Sequence, residues 1–219
     1  MSARFLLALL LALPPLTLAA APDLRAEFWL DLDGVQREGE ESPLPDREAA
    51  LRLLEEASWV FAGMIDGFEF EWTPENKGRA VAEAFSLKPL SVVKAGDPRL
   101  RPGEARRDPR RFSAWVEFRP DAADLLALEA GSSATWKSAQ GRGQADWQKG
   151  WPGRREAYIA ALKAGIEDWA RANLGLRPRL LRGRVVFAAP PSMAIVDGAY
   201  TVQARLRIEV LEVRKWEIW

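Results

Sequence analysis

Residues 193–213 read MAIVDGAYTVQARLRIEVLEV, and this stretch decides the fold class of the chain. The pair Asp197-Gly198 tolerates a positive φ at both positions, so it predicts the two-residue turn of a β-hairpin. After this turn, apolar and polar side chains alternate, with the apolar positions at Val202, Ala204, Leu206, Ile208 and Val210. A strand of this kind packs one face and exposes the other, as in an antiparallel sheet covered by helices.

Other segments of the chain show the same two-residue period. Residues 68–72, FEFEW, place aromatic side chains on one face and carboxylates on the other. Residues 112–118 alternate in the same way, and shorter strands are predicted over residues 28–33 and 185–188. Together with the hairpin, these segments indicate about five strands.

Four segments show the three- and four-residue spacing of apolar residues that is typical of helices. The predicted helices cover residues 46–62, the segment between Thr73 and Pro89, residues 121–130, and the segment from Arg154 to Asn173. We expect Gly63 to end the first of them. Thr73-Pro74-Glu75 has the order of N-cap, N1 proline and first-turn acid, which predicts the start of the second.

These elements predict an α+β fold: a mostly antiparallel sheet of about five strands, with three or four helices packed on one face. We expect residues 21–219 to form a single α+β domain after a signal peptide at residues 1–20. Residues 131–153 are rich in Gly, Ser and Gln, which predicts a loose connection. The alternative is therefore two subdomains that meet near residues 131–153.

The N-terminus has the order of residues found in a secretory signal peptide. Arg4 supplies the positive charge, and an apolar run of nine residues follows from Phe5 to Leu13. Pro14-Pro15 ends this run, and small residues suited to a signal peptidase come next. A spanning helix needs about 20 consecutive apolar residues, so no transmembrane segment is predicted in the mature chain. We expect an exported protein, in the periplasm or in the extracellular medium.

The chain contains no cysteine and no histidine. It is therefore disulfide-free, and it lacks the residues of a Ser-His-Asp triad, a Cys-His dyad or a zinc site with His or Cys ligands. No catalytic residue, no metal site and no cofactor is predicted. The sequence has no nucleic-acid-binding motif, so nucleic acid is not an expected partner.

Charge is distributed unevenly along the chain. Residues 22–76 contain 15 acidic and four basic residues, whereas residues 77–219 contain 16 acidic and 26 basic residues. One interpretation is that the two parts pack together and their surface charges complement each other. The other is that the second part forms a basic face for an anionic partner, such as lipid headgroups or a cell-wall polymer.

Ten tryptophans make the chain tryptophan-rich, and two of them lie in residues 141–153, GRGQADWQKGWPG. The two glycines at its start lack the third glycine of a dinucleotide-binding loop. We interpret the stretch as a flexible basic loop whose indoles contact a sugar ring, a lipid interface or a partner protein. The alternative is that these indoles fold back and cover the core. The candidate binding residues are Trp147, Trp151, Arg142, Lys149, Arg154 and Arg155.

Two charged patterns have simpler interpretations. Glu69 and Glu71 lie on one face of a predicted strand, and paired carboxylates can serve as acid and base in glycoside hydrolysis. Charges on an alternating strand are more often the solvated face, and we prefer that interpretation. The arginines of residues 99–111 are interrupted by acidic residues, which predicts a solvated hairpin or turn.

The first hypothesis for function is an exported cell-envelope protein of binding or structural type. Its partner would be an envelope component: a protein, a glycan or an anionic lipid surface. The missing catalytic residue types favour binding over catalysis. The alternative is a carbohydrate-binding protein, or a glycoside-acting protein that depends on carboxylates. A groove with carboxylates beside tryptophan would favour this alternative.

Export is testable with residues 1–30 fused to an alkaline phosphatase that is active only outside the cytoplasm of a bacterial host. We expect phosphatase activity from this fusion and none from its Leu9→Arg variant, because a charge interrupts the apolar run. Leu24→Arg, beyond the predicted cleavage site, is the control and should remain active. Equal activity of both variants would contradict the signal peptide.

Overall fold

A computed structural model describes residues 23–32, 44–175 and 177–216 of the chain. The predicted signal peptide lies outside these residues. The α-helices are α1 (Asp46–Ile65), α2 (Ala122–Ser132) and α3 (Trp151–Leu174). The strands are β1 (Leu24–Asp31), β2 (Phe68–Thr73), β3 (Ala84–Pro89), β4 (Leu100–Arg107), β5 (Arg111–Phe118), β6 (Lys137–Asp146), β7 (Leu180–Phe187), β8 (Ser192–Val196) and β9 (Ala199–Arg214).

The described strands form two antiparallel sheets. The small sheet has the order β1-β5-β4, and the large sheet has the order β3-β2-β7-β9-β6, with β8 also paired to β9. The predicted α+β class and the antiparallel pairing are confirmed. The strands are more numerous than predicted, and β1 pairs along its whole length with β5 in a sheet of its own.

The predicted hairpin of residues 193–213 organises the large sheet. Asp197 and Gly198 have φ values of 50° and 73°, as the turn requires, and Val196 pairs with Ala199 across it. The second strand, β9, is 16 residues long. It pairs with β6 along one edge and with both β7 and β8 along the other. The strand that the sequence predicts best therefore pairs with three of the other five strands of this sheet.

Helix α1 lies between the two sheets. Phe61 contacts Phe28 and Phe118 of the small sheet, with ring centroids 5.8 and 6.1 Å apart. On the other side of α1, Trp59 contacts Phe187 of the large sheet at 5.8 Å. Phe187 also contacts Tyr158 of α3, so α1 and α3 share one face of the large sheet. The small sheet covers α1 from the opposite side.

The prediction of a loose connection over residues 131–153 is wrong. Residues 137–146 form the regular edge strand β6, and α3 already begins at Trp151. Gly141 and Gly143 are buried on the inner face of β6, where a Cβ atom on either glycine would overlap the backbone of Ala161 in α3. Because glycines replace the apolar residues of this face, the strand shows no apolar alternation in the sequence.

Two other local predictions are also wrong. The segment after Thr73 contains a short 3₁₀ turn, Lys77–Arg79, and then β3 instead of a helix. β3 pairs with β2 along its whole length, and this pairing outweighs the preference of the segment for a helix. Gly63 does not end α1 but lies inside it, where a side chain would collide with the rings of Phe68 and Phe187.

The arginine-rich segment forms the β4–β5 hairpin, as predicted. All residues of β4 after Leu100 are exposed. Arg99, just before this strand, donates hydrogen bonds to Asp121 and Asp124 at 2.6 and 2.8 Å. Asp121 is also the N-cap of α2. The hairpin is thus connected to the start of α2 by charged groups at the surface.

The close contact between β6 and α3 predicts a specific sensitivity to added volume. Gly141→Ala should lower the free energy of unfolding by about 2–3 kcal/mol, because backbone atoms of α3 must move to admit the methyl group. Gly96→Ala is the matched control: no atom lies within 4 Å of a Cβ there, and a change within about 0.5 kcal/mol is expected. Chemical denaturation measures both, and equal stabilities would contradict the packing.

Candidate functional site

The two tryptophans of the predicted binding loop pack against the core. Trp147 lies in a 3₁₀ turn after β6, and its Nε1 donates a hydrogen bond to Asp31 Oδ2 at 3.3 Å. Trp151 is the first residue of α3. Both indoles are half-buried and contact the hydrophobic core. The structure therefore agrees with the alternative that these tryptophans cover the core.

Arg154, predicted as a surface binding residue, is instead buried, with an exposed fraction of 3%. Its Nε and Nη2 donate to the carboxylate of Glu56 in α1 at 2.8 and 2.9 Å. Nη2 also donates to the Trp29 carbonyl oxygen of β1 at 2.8 Å. Tyr158 donates its hydroxyl to the same carboxylate at 2.8 Å. The arginine is thus an internal connection and is not available to a ligand at the surface.

The surroundings of Arg154 keep its charge inside the protein. Burial lowers the pKa of its guanidinium, but attraction to the Glu56 carboxylate outweighs burial and leaves that pKa raised. Three aromatic rings add cation–π contacts, at 4.8 Å for Trp29, 5.4 Å for Tyr200 and 5.9 Å for Trp151. A buried ion pair with this many partners is a structural element of the core.

The other predicted binding residues do not converge on one surface. Arg155 stacks over the ring of Trp59 at 4.3 Å. Lys149 pairs with Glu156 at 2.6 Å. Arg142 is exposed on β6 and faces away from α3. Of the six candidates, Arg142 alone lies on an open face of a sheet.

A concave site lies elsewhere, between the C-terminal part of α3 and the turn that connects β2 with β3. It is a cleft with a volume of about 230 Å³. Its wall combines aromatic, small and charged side chains, among them Trp72, Pro74, Glu83, Glu167, Ala170, Arg177 and Pro178. We call it the Trp72 cleft.

Hydrogen bonds connect the charged groups of the Trp72 cleft. Glu83 Oε1 accepts a hydrogen bond from Trp72 Nε1 at 3.1 Å, and Glu83 Oε2 accepts one from Lys163 Nζ at 2.5 Å. Lys163 also pairs with Glu167 at 3.4 Å, one helical turn further along α3. The β2–β3 hairpin therefore brings Glu83 to a Lys–Glu pair that α3 already presents.

The two carboxylates of the cleft have pKa values shifted in opposite directions. The hydrogen bond from Lys163 lowers the pKa of Glu83, and the Trp72 indole lowers it further. Burial raises the pKa of Glu167, and the neighbouring Glu83 carboxylate raises it further. Two carboxylates with diverging pKa values in one cleft are a feature of functional sites.

Sequence reasoning missed this cleft. Glu83 falls in the segment that was predicted as a helix, and no spacing relates it to Glu167 along the chain. The signal that was present is local: Lys163 and Glu167 are four residues apart on one face of α3. Such pairs are common on solvated helices, so the pattern alone does not indicate a site.

Comparisons with known proteins give relatives but no described activity. An uncharacterized protein of Treponema pallidum (strain Nichols) is 23% identical over 186 residues, which is 85% of this chain and 77% of that protein. A protein-family model matches residues 14–216. No solved structure matches the chain. Within the part of the chain that the structure describes, no helix is long and apolar enough to cross a membrane.

The hydrogen bonds of the cleft predict the outcome of a pH titration. In Lys163→Met the pKa of Glu83 should rise, because its main hydrogen-bond donor is lost, and the pKa of Glu167 should rise as well. Carboxyl ¹³C NMR measures both. Lys149→Met, which removes an exposed lysine paired with Glu156, is the control and should leave both pKa values unchanged. An unshifted Glu83 in Lys163→Met would contradict this geometry.

Proposed function

The chain belongs to the family whose model matches residues 14–216, and we propose that its function is to bind a small polar ligand in the bacterial cell envelope. In this proposal the N-terminal signal peptide directs export, and the Trp72 cleft is the ligand site. The observation that carries the proposal is a cleft in which charged groups from α3 and from the β2–β3 hairpin converge. Pockets with a few convergent polar groups are the usual sites of small ligands.

The size of the cleft limits the ligand. Pockets for drug-sized ligands have volumes of roughly 300–1,000 Å³. The Trp72 cleft, at about 230 Å³, is smaller than this range. A cleft of this size can hold a molecule with a single ring, or the end of a longer molecule.

The wall chemistry favours a neutral ligand with several hydroxyl groups, such as a saccharide. Glu83 and Glu167 accept hydrogen bonds, Arg177 donates them, and Pro74 and Pro178 offer apolar contact. Lys163 already neutralises part of the carboxylate charge, at 2.5 Å from Glu83. A cationic ligand would have to compete with this lysine, whereas hydroxyl groups can share the same oxygens.

Glycoside hydrolysis is the second candidate, since opposite pKa shifts are typical of an acid–base pair. The geometry favours binding. Glycosidase carboxylates are about 5–5.5 Å apart in retaining enzymes and about 6.5–9.5 Å apart in inverting enzymes. These enzymes also need one carboxyl group that keeps its proton, whereas Lys163 pairs with Glu83 at 2.5 Å and with Glu167 at 3.4 Å and so favours the charged form of both.

The proposal is tested by calorimetric titration of the chain with glucose, galactose and N-acetylglucosamine, with glucosamine and glucuronate as charged counterparts. We expect a neutral sugar to bind better than its charged counterparts. Ala170→Leu should weaken that binding by about tenfold or more, because the larger side chain fills the cleft. Ala172→Leu, on the exposed side of α3, should bind like the unaltered chain.

Arg177→Ala provides a second variant that adds no volume, and it should also weaken binding because a donor in the cleft wall is lost. Thermal melting establishes that each variant is folded. If no saccharide binds, or if both α3 variants bind equally well, the cleft is not a saccharide site. Release of reducing sugar from a glycan would instead support the hydrolase.

A further inference from the structure

The face of the large sheet that is opposite the helices has an unusual charge distribution at β6 and β9. Along β9 the apolar side chains Val202, Ala204 and Leu206 are buried towards α1 and α3. The intervening residues Gln203 and Arg205 are exposed on the opposite face. The same alternation on β6, where the glycines face α3, exposes Ser138, Gln140 and Arg142 on this face.

Three arginines on this part of the sheet carry charges that no described carboxylate neutralises. Arg142, Arg205 and Arg207 make no ion pair with any residue that the structure describes. Arg207 Nη1 donates to Ser138 Oγ at 2.9 Å, which orients the guanidinium but leaves its charge uncompensated. Arg205 and Arg207 lie two residues apart on β9, and Arg142 lies diagonally across from Arg205 on β6. Like charges this close repel, so their presence needs an explanation.

The other half of the same sheet face shows the contrast. Arg182 pairs with Glu71 at 2.6 Å and with Glu212 at 3.4 Å. Arg184 pairs with Glu209 at 3.8 Å. Arginines of β7 are therefore neutralised by neighbouring strands, and the uncompensated charge is confined to β6 and the first part of β9.

The three arginines line a continuous depression. One concavity, of about 640 Å³, includes Arg142, Gln203 and Ser192 in its lining, and at its α3 side Asp168, whose carboxylate pairs with Arg171 at 2.7 Å. A second, of about 540 Å³, includes Ser138 and Arg207. Gln140 and Arg205 line both concavities, so they join into one groove across β6 and β9. We call it the arginine groove.

We propose that the arginine groove binds an acidic polysaccharide. Guanidinium groups match carboxylates in a bidentate geometry, and the amide and hydroxyl groups of Gln140, Gln203 and Ser138 match sugar hydroxyls. Among the described residues that line the groove, no large apolar side chain is exposed. A soluble polyanion therefore fits this surface better than a bilayer does, because an interfacial site needs apolar side chains to insert.

This site is separate from the Trp72 cleft. The groove lies on β6 and β9 and reaches α3 at Asp168, whereas the cleft is formed by α3 and the β2–β3 hairpin, and the two share no lining residue. The two ligands are therefore expected to bind independently. Ala170→Leu, which fills the cleft, should leave binding at the groove unchanged, so either proposal can fail without the other.

The test is the affinity of the full mature chain for polygalacturonate at low salt. We compare the groove variant Arg142→Gln/Arg205→Gln/Arg207→Gln with the hairpin variant Arg101→Gln/Arg106→Gln/Arg110→Gln, which loses the same charge from the β4–β5 hairpin. The groove variant should lose about tenfold or more in affinity, and the hairpin variant should lose little. Binding should weaken as salt is added, because the contacts are exposed charges.

The proposal would be overturned by no binding of polygalacturonate, by equal losses in the two variants, or by binding to phosphatidylglycerol vesicles in preference to the polymer. Equal losses would mean that net charge alone drives binding. Neutral dextran serves as the uncharged control, and tight binding of dextran would also exclude the arginines as the recognition element. The exchanged residues are exposed or half-exposed, so thermal melting should show that each variant is folded.

Discussion

The buried ion pair between Glu56 and Arg154 connects the layers of this fold. Glu56 belongs to α1, Arg154 belongs to α3, and Arg154 also donates to the Trp29 carbonyl of β1. Two helices and the small sheet therefore meet at one guanidinium. Removing one partner of such a pair leaves a buried charge, which typically costs about 3–5 kcal/mol. The contact sets the position of α1 relative to α3, where the rings of Trp59 and Tyr158 also meet at 5.5 Å.

Helix α3 connects this ion pair to both proposed binding surfaces. Near its start Arg154 holds it against α1, and in its middle Ala161 packs on the glycines of β6. Two residues further along α3, Lys163 pairs with Glu83 and with Glu167 at the Trp72 cleft. The strand that α3 supports, β6, carries Arg142 on its outer face. Both surfaces are consequently built on elements that the core keeps rigid.

The sequence predicts those elements whose formation depends on residues that are close together in the chain. The hairpin at Asp197-Gly198 and the helices α1 and α3 follow from turn chemistry and apolar period. β6 was missed because Gly141 replaces an apolar residue where a helix comes close. β3 was missed because Thr73-Pro74-Glu75 has the order of a helix start, whereas pairing with β2 makes the later residues of this segment a strand. The cleft could not be predicted, since Glu83 and Glu167 are brought together only by the tertiary fold.

The Glu56–Arg154 pair couples the two sheets through α1 and α3, and hydrogen–deuterium exchange of Glu56→Gln tests this coupling. Asp168→Asn, which breaks the exposed pair with Arg171, is the reference variant. We predict that Glu56→Gln speeds amide exchange in β1, α1 and α3 together, whereas Asp168→Asn changes exchange only near its own helical turn. Faster exchange confined to the residues around position 56, with β1 and α3 as protected as before, would contradict the claim.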